Sequence, residues 1–241
     1  MKQRRFQFSN LGITRGALVV LGLTLGMSLL WLLSKQEARI ALGAWTLATP
    51  SNVFENGRVW TLLTSPLIET KFISLLFLGL VMWMFVPTLE RFWGTARFYR
   101  FVVVTSVVGT TCGTLVGWAL GSNVLIAGLS PFLYASFVAF GMVYAKQPVQ
   151  FFGVLPLTGR QLMYGILAFV TLYVVLQQAW AEGASFAGAM VAAALMVSKF
   201  SPGLLWKKWR IRRARAKLTV MQGGQGGASS KKRPDDQKYL N

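Results

Sequence analysis

Six stretches of the chain are apolar for 15 residues or more: 16–33, 72–86, 98–120, 130–145, 161–179 and 184–198. A helix needs about 20 apolar residues to cross a bilayer. The first, third and fifth stretches approach or exceed that length. The second, fourth and sixth fall short and require thinned bilayer or the shelter of neighbouring helices. Lys71 and Lys199, flanking two of the short ones, can reach toward headgroups. The pattern predicts an all-α membrane protein built as a six-helix bundle. The basic residues Lys2, Arg4, Arg5 and Arg15 precede the first stretch in the order of a signal peptide. That stretch is long and has no small-residue cleavage site, so it reads as a retained helix.

Polar segments complete the layout. Residues 1–15 form a basic N-terminus, 16–200 the membrane domain, 201–221 a basic juxtamembrane segment and 222–241 a tail expected to be disordered. Lys207, Lys208, Arg210, Arg212, Arg213 and Arg215 read as an anchor for anionic lipid headgroups, with a protein-docking helix as the alternative. Of the 25 Lys and Arg, 21 fall on one side of the six predicted spans. The positive-inside rule then puts both termini in the cytoplasm. The short loops and simple core suggest a bacterial inner membrane, an internal eukaryotic membrane being the alternative.

Composition agrees with this layout. Charged residues make up 13% of the chain against about 25% in soluble domains. In so apolar a chain, the net charge of +18 points to anionic lipid rather than nucleic acid. Cys112 is the sole cysteine and histidine is absent, so neither a disulfide nor a metal centre is expected, and no cofactor is implied. Absent histidine also removes the usual general base at neutral pH. Gly109, Gly113 and Gly117, four residues apart, form a small-residue face suited to close helix contact.

Several motifs run in a recognisable order. A Gly57–Thr64 segment containing Trp60 lies in the first loop. Glu90-Arg91-x-x-Gly94-x-x-Arg97-Phe98 follows the second helix, with its charges expected to pair locally. Gly128-Leu129-Ser130-Pro131 opens the fourth helix, and Ala184-Ser185-Phe186-Ala187-Gly188 lies in the sixth. Together these resemble the rhomboid intramembrane serine proteases over about residues 50–195.

The resemblance implies a compact six-helix bundle with a serine nucleophile on the fourth helix and a histidine base on the sixth. Here those positions are Ser130 and Ser185, and the oxyanion positions are Ser74 and Leu78. A serine hydroxyl needs an adjacent base to attack a peptide bond, and Ser185 cannot serve at pH 7. Pro131 also replaces a backbone-freeing glycine. Ser130 followed by proline reads more simply as an N-cap. A Ser130–Glu182 pair is the weak remaining route to catalysis. The chain is therefore identified with the inactive members of the superfamily, which, like the derlins, handle membrane-spanning clients. A rhomboid-type endopeptidase with an unrecognised base is the alternative.

Overall fold

A computed structural model describes residues 12–146, 148–151 and 155–198. Lys207, Lys208, Arg210, Arg212, Arg213 and Arg215, where a lipid anchor is expected, and the tail lie outside the described residues.

The first apolar stretch forms α1 (Arg15–Leu33). A surface helix, α2 (Gln36–Thr46), follows and buries no residue. Its start is tied back to α1, where Arg39 Nε donates to the Trp31 carbonyl at 3.1 Å. Arg58 lies 4.6 Å over the Trp45 ring, and Trp60 Nε1 donates to the Trp45 carbonyl at 3.0 Å. The Trp60 motif thus clamps α2 from the surface. A single-turn helix α3 (Thr61–Thr64) leads through a 3-10 turn (Ser65–Leu67) to α4 (Phe72–Met84).

The second stretch was expected to continue to residue 86, but the chain breaks at Phe85 and restarts as α5 (Val86–Trp93), with Pro87 in its first turn. Proline fits there because the first turn has no intrahelical partner for its missing N–H. Gly94, at φ +80°, ends α5 and opens the long α6 (Thr95–Ala119). The fourth stretch forms α7 (Ser130–Val143). A short two-stranded antiparallel hairpin, β1 (Pro148–Phe151) and β2 (Leu155–Thr158), joins it to α8 (Gly159–Gln177) within an all-helical architecture. The Thr158 side chain and Gln161 form a reciprocal capping box at the start of α8. The sixth stretch starts earlier than expected, as α9 (Trp180–Val197).

Four helices, α1, α6, α8 and α9, are long and apolar enough to cross a membrane. The Thr61–Leu67 segment and α4 meet at 82° and would make a fifth span if counted together, whereas α7 is apolar but shorter. The six-span expectation therefore stands at four to five among the described residues. The break at Phe85 divides apolar sequence that hydropathy alone cannot divide. Glu69 lies in the non-helical bend just before the start of α4.

The closest packing is between α6 and α9 and between α7 and α9. It follows from the glycine face of α6. A methyl group added at Gly109 would come within 2.7 Å of Pro131 and 2.9 Å of the Ser185 carbonyl; at Gly113 it would meet Ser185 Cβ at 2.8 Å. Buried threonine hydroxyls within α6 are satisfied internally, as where Thr105 donates to the Phe101 carbonyl at 2.7 Å and Thr110 to the Ser106 carbonyl at 2.9 Å. On the other side, the aromatic cluster of Phe98, Phe101 and Phe132 fixes α6 against α7.

Gly188 faces Cys112, with the sulfur 2.6 Å and Cβ 2.8 Å from where its own Cβ would be. Gly188→Ala is expected to lower stability by about 1–3 kcal/mol through overpacking. Adding Cys112→Ala should recover only part of the loss, because the Cβ contact persists. Equal thermal stability of Gly188→Ala and the parent in detergent would contradict this account of the α6–α9 contact.

Candidate functional site

The site is built where α4, α7 and α9 begin and α8 ends. The chain enters α7 through Gly128, whose φ of +86° is left-handed. Leu129 occupies the N-cap position and has no side-chain acceptor for the exposed amides of the helix start. Ser130 is the first helical residue and Pro131 the second, which corrects the expectation that Ser130 itself is the N-cap.

The acceptor comes from the first loop. Glu69 is only 4% exposed, and its Oε1 receives the Leu129 N–H at 2.9 Å. Its own N–H donates to Ser28 Oγ on α1 at 2.8 Å. Gly128 leaves room for this carboxylate, since any Cβ there would collide with it. Two further links hold the pre-α7 segment to the first loop: Gly128 N donates to the Ser65 carbonyl at 3.0 Å, and Ala48 bridges Ile126. Burial pushes the Glu69 carboxyl up from 4.5 to about 7, against the opposing effects of the Leu129 amide and Lys71.

These elements enclose a cavity of about 770 Å³. Ser74, Ser130 and Ser185 all line it, drawn from α4, α7 and α9. Leu78, the other oxyanion position, is fully buried in the core and does not. Glu69 and Glu182 are the carboxylates of the lining, and Lys71 is its cation. Glu182 lies in the first turn of α9 and accepts a hydrogen bond from Tyr173 Oη at 3.1 Å.

Ser185 is 1% exposed, and its Oγ has no hydrogen-bond partner, a state shared among the described residues only with Ser106 Oγ. A buried unsatisfied hydroxyl is costly, about 1–3 kcal/mol. The Ser130 hydroxyl is likewise given no acceptor among the described residues. The cavity is therefore lined by three serines and two carboxylates, with no hydrogen bond between a serine and a carboxylate of the lining among the described residues.

The remaining motif residues lie elsewhere. Glu90 is buried within α5 and, among the described residues, does not pair with its neighbouring arginines, contrary to expectation. Its carboxylate accepts the Gly16 N–H at 3.0 Å, the Ala17 N–H at 2.8 Å, the Thr95 hydroxyl at 2.9 Å and the Thr14 hydroxyl. It thereby caps α1 and ties α1 to the α5–α6 turn. Arg91 donates to the Gly12 carbonyl at 3.0 Å, and Arg97 is exposed. Gly94 makes the turn, and Gly188 packs on Cys112.

Sequence reasoning missed Glu69. A usable signal existed: a helix start flanked by Gly128 and Leu129, with no capping residue before Ser130, requires an acceptor from elsewhere.

No curated protein matches the chain. A family model described as a eukaryotic integral membrane protein (DUF1751) matches residues 17–198. This corrects the expectation of a bacterial inner membrane. Short loops and a positive-inside charge bias occur in both settings and could not separate them. With most of its length matched and several helices able to span a bilayer, the chain is a multi-pass integral membrane protein that belongs to the eukaryotic integral membrane protein family DUF1751.

Proposed function

We propose that this protein is a catalytically inactive, rhomboid-like membrane protein that receives the membrane-spanning segments of client proteins in the cavity between α4, α7 and α9. The observation that carries the reading is Ser185: where a rhomboid has its base, this chain has a buried hydroxyl with no partner. A chain without histidine cannot replace it with the usual base. A cavity of about 770 Å³ lies within the size range of ligand sites and could take several side chains of an unwound segment. The motif order of residues 50–195 supports the rhomboid-like part, as does the association of the DUF1751 family with rhomboid-like proteins.

Glu69 favours a second reading, a serine endopeptidase with an unusual base. Its carboxyl, at about 7, would titrate near neutral pH, and it lies in the same cavity as Ser130. Against this, its Oε1 is engaged by the Leu129 amide rather than by the Ser130 hydroxyl. A fluorophosphonate probe separates the two readings. The protein in lipid should stay unlabelled beside a brightly labelled active rhomboid. Labelling that disappears in both Ser130→Ala and Glu69→Gln would establish the enzyme and overturn the inactive reading.

A further inference from the structure

We propose that the cavity selects client segments carrying a lysine or arginine within the membrane, an inference that rests on the client-binding reading above. Its lining combines two carboxylates, Glu69 and Glu182, with the aromatic side chains of Phe77, Tyr134, Phe169 and Tyr173. Carboxylates with aromatic faces make a box suited to an ammonium or guanidinium group. Tyr173 donates to Glu182 Oε2 and so orients that carboxylate, while Oε1 has no hydrogen bond among the described residues.

Ser185 supplies a second, independent indication of a ligand. Its hydroxyl, 1% exposed and without a partner, belongs to the same lining and offers an acceptor for an N–H group. Lys71, the one cation of the lining, is an exposed residue at the N-cap of α4. It offsets one carboxylate and leaves the other for an incoming charge.

The energetics favour a membrane client as the source of that charge. A basic residue near the centre of a spanning helix is costly to place in hydrocarbon. A segment bearing one gains by placing it against Glu182 in a polar cavity instead of hydrocarbon. An all-apolar segment has no comparable gain and would leave the Ser185 hydroxyl unsatisfied.

The test uses the full chain in phosphatidylcholine vesicles, with a photocrosslinking residue in place of Phe169. Two membrane-spanning polyleucine peptides are compared, one carrying a single lysine level with the cavity and one carrying none. The lysine peptide should crosslink about tenfold more strongly, and Glu182→Gln should bring the ratio close to one. Glu182 bears no backbone cap, so this variant avoids the folding risk of changing Glu69. Equal crosslinking of both peptides would overturn the charge selection and leave client binding intact. Crosslinking of neither would remove both.

Discussion

Glu90→Ala should lower the stability of the folded protein by about 3 kcal/mol or more, the largest effect expected of any single polar substitution. Four donors converge on this carboxylate, two of them the first amides of α1. Hydrogen bonds to a charged group are worth about 1.5–3 kcal/mol each, and not all can be regained from water when the site is buried. Glu90→Gln should cost less, because an amide oxygen still accepts but brings an N–H2 group among donors. Burial opposes ionisation of Glu90, yet the four hydrogen bonds outweigh it and hold the carboxyl below its usual 4.5. A depressed carboxyl stabilises the fold above its unfolded pKa and loses that contribution as pH falls through the folded value. The parent should therefore weaken in acid below about pH 4.5, and Glu90→Gln should show a flatter acid limb. Denaturation of both proteins in detergent between pH 3 and 7 measures this; parallel curves would show that Glu90 is not the titrating group.

Gly128→Ala is the second large effect, expected to cost about 2–4 kcal/mol. Part is the left-handed backbone, about 1 kcal/mol for alanine. The rest is displacement of the Glu69 carboxylate from the Leu129 amide, because the new methyl group would occupy its place. The two contributions separate in a double variant. Glu69→Ala removes the collision and should make the Gly128→Ala step cheaper, so the pair is non-additive. Additive losses would show that the glycine serves the turn alone.

Glu69 also has a pH signature opposite to that of Glu90. Its folded pKa of about 7 exceeds the unfolded 4.5, so the protonated form is favoured in the fold. Its contribution is fully present below pH 4.5 and is lost as pH rises to about 7. A shift of this size corresponds to about 3 kcal/mol. Glu69→Gln, which mimics the protonated acid, should flatten the stability curve between pH 4.5 and 7.

Much of the fold was legible in hydropathy because the bilayer demands long apolar runs. Residues 16–33 became α1 with one residue added, and 98–120 became α6 shifted by a few. What hydropathy could not resolve was direction. Phe85 is as apolar as its surroundings, yet the helix breaks there, and nothing in hydropathy sets the 82° bend between Thr61–Leu67 and α4. The surface helix α2 was missed because its stabilising contacts, Arg39 to Trp31 and Arg58 over Trp45, link residues of different segments.

The candidate site was legible by position and not by chemistry. Motif order pointed to Ser74, Ser130 and Ser185, which share one cavity. Glu69 belongs to none of the motifs, and Glu90 belongs to a turn motif whose charges were expected to pair locally. Their burial, and the helix starts they cap, depend on partners 60 or more residues away, which local patterning does not encode.

Those separations bear on how the chain is made. Synthesis delivers α1 to the membrane first, but the carboxylate that completes its leading turn arrives 74 residues later. Glu69, in contrast, is delivered first and waits 60 residues for the α7 amide that it will accept. Until α5 has emerged, α1 is a helix with bare amides, and until α7 has emerged, Glu69 is a carboxylate without its main donor. Each is a point at which an insertion chaperone could hold the nascent chain. A nascent chain stalled once α5 has cleared the ribosome would carry α1 with its cap in reach; one stalled while Glu90 is still inside the ribosome would carry it without.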